Sequence, residues 1–348
     1  MTAAQRHRRP PTFAVRLSIA AAVTGTLLAG GSTALHQEER HLTFEAMRDA
    51  ASWFGGLPKG VQELALPVRT DDGAQNIHAW WWPVADPRAP ALLYLHGSRA
   101  NLTDQVDRLQ LLRDFGFSVF AIDYRGFGRS DGDLPSEQTV YEDARAAWDW
   151  LAERQPDPAK RFIYGHSLGG AVAVDLAAAL SGNANADAAG KSAPAGGLII
   201  ESTFTTLVDI AKEWSFPWLP LGTLMSQKFD SVSKMGRIAM PVLIVHGAID
   251  HDVPSRFGEA LYAAATGRKK LLLIEGGGHS DSMGAGAAQY RQALAELFGL
   301  GASAASGTRA CRSSRTESPN SCVRYPDASS SAPTRRNVTS STNARSNS

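Results

Sequence analysis

A strand that turns directly into a helix around a serine is the feature that most constrains the fold of this chain. Residues 162–170 read FIYGHSLGG, and the helix-forming run AVAVDLAAAL follows at once. Gly165 and Gly169 flank Ser167, where a sharp turn brings neighbouring backbone too close for a side chain. Such a turn lifts the hydroxyl clear of the strand, at a helix N-terminus that favours negative charge. The segment predicts a nucleophilic serine; the alternative is a turn in which the serine only caps the helix.

Apolar runs alternate with helical patterns on both sides of this turn. The predicted strands are residues 61–68, 77–84, 91–96, 118–124, 162–164, 197–201, 242–246 and 270–274, and the predicted helices are 102–115, 137–154, 168–180, 254–265 and 286–298. The later strands are continuous runs of Val, Ile and Leu, which is typical of parallel strands covered on both faces. The alternation predicts an α/β fold with a mostly parallel eight-stranded sheet and helices on both faces.

A serine hydroxyl needs a positioned base, and the chain offers one after its last predicted strand. His279 follows the sequence EGGG, a loop that can carry the imidazole over the carboxyl ends of the strands, where ligands of such sheets bind. Of the nine histidines, it alone follows the last strand in a glycine-rich loop. His251 is a weaker alternative. We therefore expect His279 to be the general base.

The expected acid follows the predicted strand 242–246. A carboxylate just past a buried strand can orient the base and stabilise its imidazolium form, and Asp250 occupies that place. Asp252 is the alternative, but its position two residues before Pro254 favours capping of the next helix. We therefore expect Asp250 to complete the catalytic group.

A backbone N–H after the third predicted strand is expected to stabilise the oxyanion of the reaction. The segment 92–99 reads LLYLHGSR, and Ser98 is the first choice for this donor, with Arg99 as an alternative contributor. The N–H of Leu168, directly after the serine, would be the second donor. The other interpretation of the segment is a plain strand and turn.

Residues 204–237, between the sixth and seventh predicted strands, are rich in aromatic side chains and interrupted by prolines. The segment is expected to form a small lid over the site, and the alternative is ordinary helical packing. An apolar lid favours an ester of a small or lipid-like acyl group as substrate. The sequence contains no acidic cluster that would recognise the amine of a peptide.

The two ends of the chain differ from the middle. Residues 1–40 combine three early arginines with the apolar run LSIAAAVTGTLL at 17–28, which predicts a signal peptide cleaved near residue 35 or an N-terminal membrane anchor. The protein is thus expected to be exported or membrane-anchored. Residues 301–348 are rich in Ser, Thr and Arg and are expected to be a disordered basic tail. The hydrolytic domain is placed at 41–300.

Charge and cysteine usage exclude several classes of function. Residues 41–300 carry 23 Lys and Arg against 30 Asp and Glu, which argues against nucleic acid as a partner. Both cysteines, Cys311 and Cys322, lie in the tail, so neither a disulfide scaffold nor a multi-cysteine metal site is expected. The first strand–helix turn lacks G-x-G-x-x-G, which argues against a dinucleotide. No metal or organic cofactor is expected.

Four motifs together resemble the α/β-hydrolase superfamily: GHSLGG, LYLHGS, DYRGFGRS at 123–130 and HGAIDHDVP at 246–254. The order Ser167, Asp250, His279 is that of the superfamily. Among its members the chain is most similar to the membrane-tethered or exported abhydrolase-domain proteins. The resemblance implies hydrolysis of esters, thioesters and occasionally amides, and a structural role for DYRGFGRS. The chain departs from many relatives in carrying Ser98 where they carry Asn.

The sequence as a whole predicts a serine hydrolase that cleaves carboxylic esters or acyl thioesters through an acyl-enzyme. Two alternatives remain: a non-catalytic binding protein on the same fold, and a serine exopeptidase. The acyl chain length, the leaving group and the oligomeric state stay open.

Overall fold

An eight-stranded sheet runs through the computed structural model, which describes residues 32–70, 73–182, 194–214 and 218–301. Its strands are β2 (Gln62–Thr70), β3 (Gly73–Trp82), β4 (Ala91–Leu95), β6 (Ser118–Ile122), β7 (Arg161–His166), β8 (Gly197–Glu201), β9 (Val242–Gly247) and β10 (Lys269–Ile274). Two short strands, β1 (Glu45–Ala46) and β5 (Arg99–Ala100), form a separate parallel pair. All eight predicted strands are confirmed, with ends that differ by up to four residues.

The sheet is mixed but mostly parallel. Its order is β10-β9-β8-β7-β4-β6-β3-β2, and only the β2–β3 and β3–β6 pairs within it are antiparallel. The predicted fold class is therefore confirmed. Because the other strands are parallel, the carboxyl ends of β4, β7, β8, β9 and β10 meet at one edge of the sheet. That edge carries the site described below.

The predicted helices are present, with one interruption. The helices are α1 (Ser32–Thr43), α2 (Val106–Asp114), α3 (Glu137–Arg154), α4 (Leu168–Gly182), α5 (Leu207–Trp214), α6 (Leu221–Leu224), α7 (Val232–Met235), α8 (Arg256–Ala264), α9 (Ser282–Ala285) and α10 (Ala287–Phe298). The helix predicted at 102–115 is divided, because a 3₁₀ turn at Leu102–Asp104 precedes α2. Asn101 caps that turn by accepting the N–H of Thr103 at 3.0 Å.

The core consists of two layers, one on each face of the sheet. Neighbouring strand residues alternate between the layers, so that Leu93 belongs to one and Leu92 to the other. Trp148 of α3 and Val172 of α4 pack in the first layer, and Tyr290 of α10 packs in the second. Helices therefore cover both faces, as expected for a parallel sheet with buried strands.

Helix α1 has no counterpart among the predicted helices, because the sequence pattern assigns residues 1–40 to a targeting segment. It contacts two distant segments: Glu39 accepts the N–H groups of Ser226 and Gln227, each at 2.8 Å, and Arg40 donates to the carbonyl of Pro135 at 2.7 Å. Cleavage before Leu35 would remove the first three residues of this helix. The predicted boundaries at residues 40 and 300 stay predictions.

The remaining targeting and tail predictions fall outside the described residues. These comprise residues 1–31 with the apolar run, and residues 302–348 with both cysteines. Within the described ranges, no helix has the length and apolar character needed to cross a membrane. Export or anchoring stays a prediction.

The segment between β8 and β9 contains the three short helices α5, α6 and α7. Helix α5 packs inward, with Leu207 and Ile210 buried, whereas Trp218 beyond it is 75% exposed. Residues 215–217 lie outside the described part. The predicted lid segment is thus helical, and its first helix borders the cavity described below.

Candidate active site

Ser167 lies on a strained turn between β7 and α4. Its φ angle is +56°, in the left-handed region that non-glycine residues rarely adopt. A Cβ atom on Gly165 would lie 2.1 Å from the carbonyl oxygen of Gly169, and one on Gly169 would lie 2.1 Å from that of Leu95. Both glycines are therefore required by close backbone contacts, which is the physical reason for the G-x-S-x-G spacing.

The structure brings Ser167, His279 and Asp250 together in one hydrogen-bonded row. The Nε2 atom of His279 lies 3.1 Å from Oγ of Ser167, and its Nδ1 atom lies 2.9 Å from Oδ2 of Asp250. The three residues come from positions up to 112 residues apart and meet because β7, β9 and β10 end at the same edge of the sheet. A carboxylate only accepts hydrogen bonds, so Nδ1 of His279 donates and Nε2 accepts from the serine hydroxyl.

Asp250 is held as a carboxylate by its surroundings. Its Oδ1 atom accepts the backbone N–H groups of Asp252 at 2.9 Å and Val253 at 2.8 Å, and His246 Nε2 lies 3.5 Å from Oδ2. Burial alone would raise the pKa of Asp250, but hydrogen bonds from His246 and His279 outweigh burial and hold it well below its usual range. An ionised, fixed carboxylate can orient His279 and stabilise its protonated form.

The sequence offers two alternative residues: His251 in place of the base His279, and Asp252 in place of the acid Asp250. His251 is exposed, and the carboxylate that contacts His279 is that of Asp250. The expectation that Asp252 caps the next helix is wrong: the N-cap residue, directly before α8, is Ser255, and no side-chain hydrogen bond caps the helix. Asp252 instead lines the cavity beside the site.

Both predicted oxyanion donors border the same space. Ser98 and Leu168 line the cavity together with Ser167. Leu168 is the first residue of α4, so its N–H has no acceptor within the helix. A Cβ atom on Gly97 would lie 3.3 Å from Cβ of Ser167, which puts the turn after β4 directly against the serine. Arg99, the alternative contributor, also lines the cavity.

A cavity of about 400 Å³ opens beside Ser167 and His279. Its apolar lining comes from Phe204, Leu207, Ile210 and Val253. Three aspartates, Asp104, Asp107 and Asp252, also line it. Two arginines, Arg99 and Arg108, line the same cavity, and the expectation that no acidic cluster recognises a peptide amine stays a prediction.

Sequence reasoning missed the polar side chains that hydrogen-bond the backbone around His279. His166 Nε2 donates to the carbonyl of His279 at 2.8 Å, and Arg108 Nη2 donates to the carbonyl of Ser280 at 2.7 Å. Arg108 also pairs with the buried Glu201 at 2.9 Å. One signal was available: Glu201 is a lone carboxylate at the end of the apolar strand GLIIE.

Metal binding has no support from side-chain geometry in the described ranges. Among those residues, no group of three or more His, Cys, Asp or Glu side chains is arranged to hold a metal ion. Separately, the row of a hydroxyl, an imidazole and a carboxylate has the arrangement needed for proton transfer from Ser167 to His279 and for attack of the serine oxygen on an electrophilic carbon.

Comparisons with known proteins agree with this fold. The sequence profile described as "Serine aminopeptidase, S33" matches residues 86–235. The uncharacterised protein MT2364 of Mycobacterium tuberculosis is 32% identical over 263 residues, which cover 75% of this chain and 87% of that protein. The lysophosphatidylserine lipase ABHD12 of Danio rerio is 32% identical over 206 residues, 55% of this chain and 51% of the lipase.

A solved structure is also similar in fold. The esterase Pf2001 of Pyrococcus furiosus superposes with a TM-score of 0.53 at 17% sequence identity, over 73% of this chain and 99% of the esterase. At this identity the likeness concerns the fold alone.

Proposed function

The chain belongs to the α/β-hydrolase superfamily, and on this basis we propose that it is a serine hydrolase that cleaves carboxylic esters, or acyl thioesters, through an acyl-enzyme on Ser167. The observation that carries the proposal is the row of hydrogen bonds from Ser167 through His279 to Asp250, at 3.1 and 2.9 Å. These distances lie within the range of a nucleophile and its general base.

In the first half of the proposed reaction, Oγ of Ser167 attacks the carbonyl carbon of the ester while Nε2 of His279 takes the hydroxyl proton. The negative charge on the carbonyl oxygen is stabilised by the N–H groups of Ser98 and Leu168; loss of one such donor typically costs about 3 kcal/mol. The carbon–oxygen bond to the alcohol then breaks, and His279 gives its proton to the departing alkoxide.

In the second half, water attacks the acyl group on Ser167, and His279 takes a proton from that water. Collapse of the second tetrahedral intermediate releases the carboxylic acid and returns the proton to the serine oxygen. Asp250 keeps the Nδ1 proton of His279 in place throughout. Atoms and charges balance without a cofactor.

The apolar part of the cavity lining favours an acyl group as the substrate moiety. Phe204, Leu207 and Ile210 come from the lid segment and are each at least 95% buried. The relatives support the same class, because one is named a lipase and a fold neighbour is named an esterase. Esters of apolar carboxylic acids are therefore the first candidate substrates.

A second candidate function is an aminopeptidase. It is favoured by the three aspartates in the cavity lining, because a carboxylate can bind the protonated amine of a peptide. The matching profile also bears that description. The two functions differ in the leaving group, an alcohol or an amine.

We predict that the purified chain hydrolyses p-nitrophenyl butyrate with a kcat/KM at least ~100-fold above that for alanine p-nitroanilide. In an apolar pocket a missing methylene costs roughly 1–3 kcal/mol, and the neutral butyryl chain suits the apolar part of this lining. Steady-state assays with both substrates at neutral pH measure the ratio. Faster cleavage of the anilide would replace the esterase proposal by the aminopeptidase.

A further inference from the structure

Two charged side chains that the proposed reaction does not use are buried behind Ser167. Glu201, the last residue of β8, is completely buried, and Arg108 of α2 is 9% exposed. Nη1 of Arg108 lies 2.9 Å from Oε1 of Glu201. Because burying two charges is costly, and apolar residues often replace such pairs without loss of stability, the pair calls for a specific role.

The carboxylate of Glu201 is the centre of a fully bonded cluster. Its Oε2 atom accepts the hydroxyls of Tyr164 and Tyr290, each at 2.5 Å, and its Oε1 atom accepts the hydroxyl of Ser282 at 2.5 Å. Burial alone would raise the pKa of Glu201, but Arg108 and the hydroxyl donors outweigh burial and lower it to about 2. The carboxylate is therefore ionised and keeps all its contacts at neutral pH.

The cluster is attached to the loop that carries His279. Nη2 of Arg108 donates to the carbonyl of Ser280, and the hydroxyl of Ser282 bonds Glu201 just beyond it. This loop contains three consecutive glycines at 276–278, and Gly276 has a φ of +72°. Glycine restricts its own backbone less than other residues do, so the conformation of this loop depends on the contacts that hold it.

Glu201 also contacts the turn that carries Ser167. The backbone carbonyl of Glu201 accepts the N–H of Ser167 at 2.9 Å, in addition to the side-chain contact with Ser282. Glu201 thus joins the turn that carries the serine to the loop that carries the histidine.

We propose that Arg108 and Glu201 are positioning residues for the general base. They hold the backbone around His279 so that its Nε2 atom stays within proton-transfer distance of Ser167 Oγ. The inference rests on the proposed function. Arg108 also lines the cavity, but its hydrogen bonds go to Tyr164, Glu201 and the carbonyl of Ser280 rather than to the reacting atoms of Ser167 and His279. A displacement of about 1 Å in such an arrangement can lower the rate ~100-fold.

The test compares two variants that each neutralise a buried, ion-paired carboxylate. Glu201→Gln removes the charge at the cluster. Asp143→Asn does so at a site away from the loop, where Asp143 is completely buried and pairs with Arg125 Nε at 2.6 Å. Both variants are expected to lower the unfolding temperature. Only Glu201→Gln is expected to lower kcat for p-nitrophenyl butyrate by roughly 10- to 100-fold, with KM changed less than about threefold.

The rate of reaction with a fluorophosphonate gives a second measurement. This rate requires proton transfer from Ser167 to His279 but not deacylation, so it is expected to fall in parallel with kcat in Glu201→Gln. Ser282→Ala, which removes only the hydroxyl contact between the loop and Glu201, is expected to lower both rates about fivefold. It replaces Glu201→Gln if that variant does not fold.

With a folded Glu201→Gln, either of two outcomes would overturn the inference: a kcat within about twofold of wild type, or a loss of kcat no larger than that of Asp143→Asn. If Glu201→Gln does not fold, Ser282→Ala with both rates unchanged would overturn it.

Ser167→Ala separates this failure from that of the proposed function. If Ser167→Ala is inactive while the cluster variants keep full activity, only the positioning role is lost. If Ser167→Ala is active, the proposed function itself fails.

Discussion

Replacement of Ser167 by alanine is expected to lower kcat/KM for p-nitrophenyl butyrate by at least ~10⁴-fold. Removing the nucleophile of a serine hydrolase abolishes the covalent route and leaves only the contributions of the oxyanion donors and of binding. The hydroxyl hydrogen-bonds Nε2 of His279 in the site rather than a core residue, so its loss is not expected to disturb the core. Steady-state kinetics of purified wild type and variant measure the effect.

The control for this prediction is Ser167→Gly. It removes the same hydroxyl, but glycine adopts the left-handed backbone of position 167 without strain, whose cost for other residues is about 1–3 kcal/mol. We expect Ser167→Gly to be as inactive as Ser167→Ala and to unfold at an equal or higher temperature. Retained activity in either variant would contradict the assignment of the nucleophile.

Asp250→Asn is expected to lower kcat by about 10³- to 10⁴-fold. An asparagine at this position can present its N–H₂ group to Nδ1 of His279, which favours the wrong tautomer and removes the charge that stabilises the imidazolium. The 2.9 Å contact to His279 and the two backbone N–H groups on Oδ1 would hold the new side chain in nearly the same place. Kinetics and thermal unfolding of the variant measure activity and folding separately.

Asp252→Asn is the matched comparison, because it makes the same chemical change two residues away. Asp252 lines the cavity but its carboxylate is not the one that bonds His279, so the expected loss in kcat is less than about tenfold. The reverse order, with Asp252→Asn the more damaging, would transfer the acid role to Asp252.

The fold could be predicted from sequence because its parallel strands are continuous apolar runs. β8 and β9 are buried along their entire lengths, and their prediction required only the length and composition of each run. The three proposed catalytic residues are predictable for a related reason, since they follow the parallel strands β7, β9 and β10. The structure brings them together, and their catalytic roles stay predictions.

The interactions that sequence could not reveal are those between distant polar residues. Arg108 lies in a helix where a charged residue is usually solvent-exposed, and its partner Glu201 is 93 positions away. The aspartates of the cavity come from two segments that only the fold brings together. Helix α1 was missed because a stronger apolar signal precedes it.

Covalent labelling tests the central claim most directly. Wild-type protein would be treated with a fluorophosphonate at neutral pH, digested, and mapped by mass spectrometry, with Ser167→Ala treated in parallel. We predict a single phosphonyl adduct on Ser167, loss of esterase activity in proportion to labelling, and no adduct on the variant. An active wild-type enzyme that stays unlabelled, or one that is labelled at another residue, would contradict the claim that Ser167 is the nucleophile.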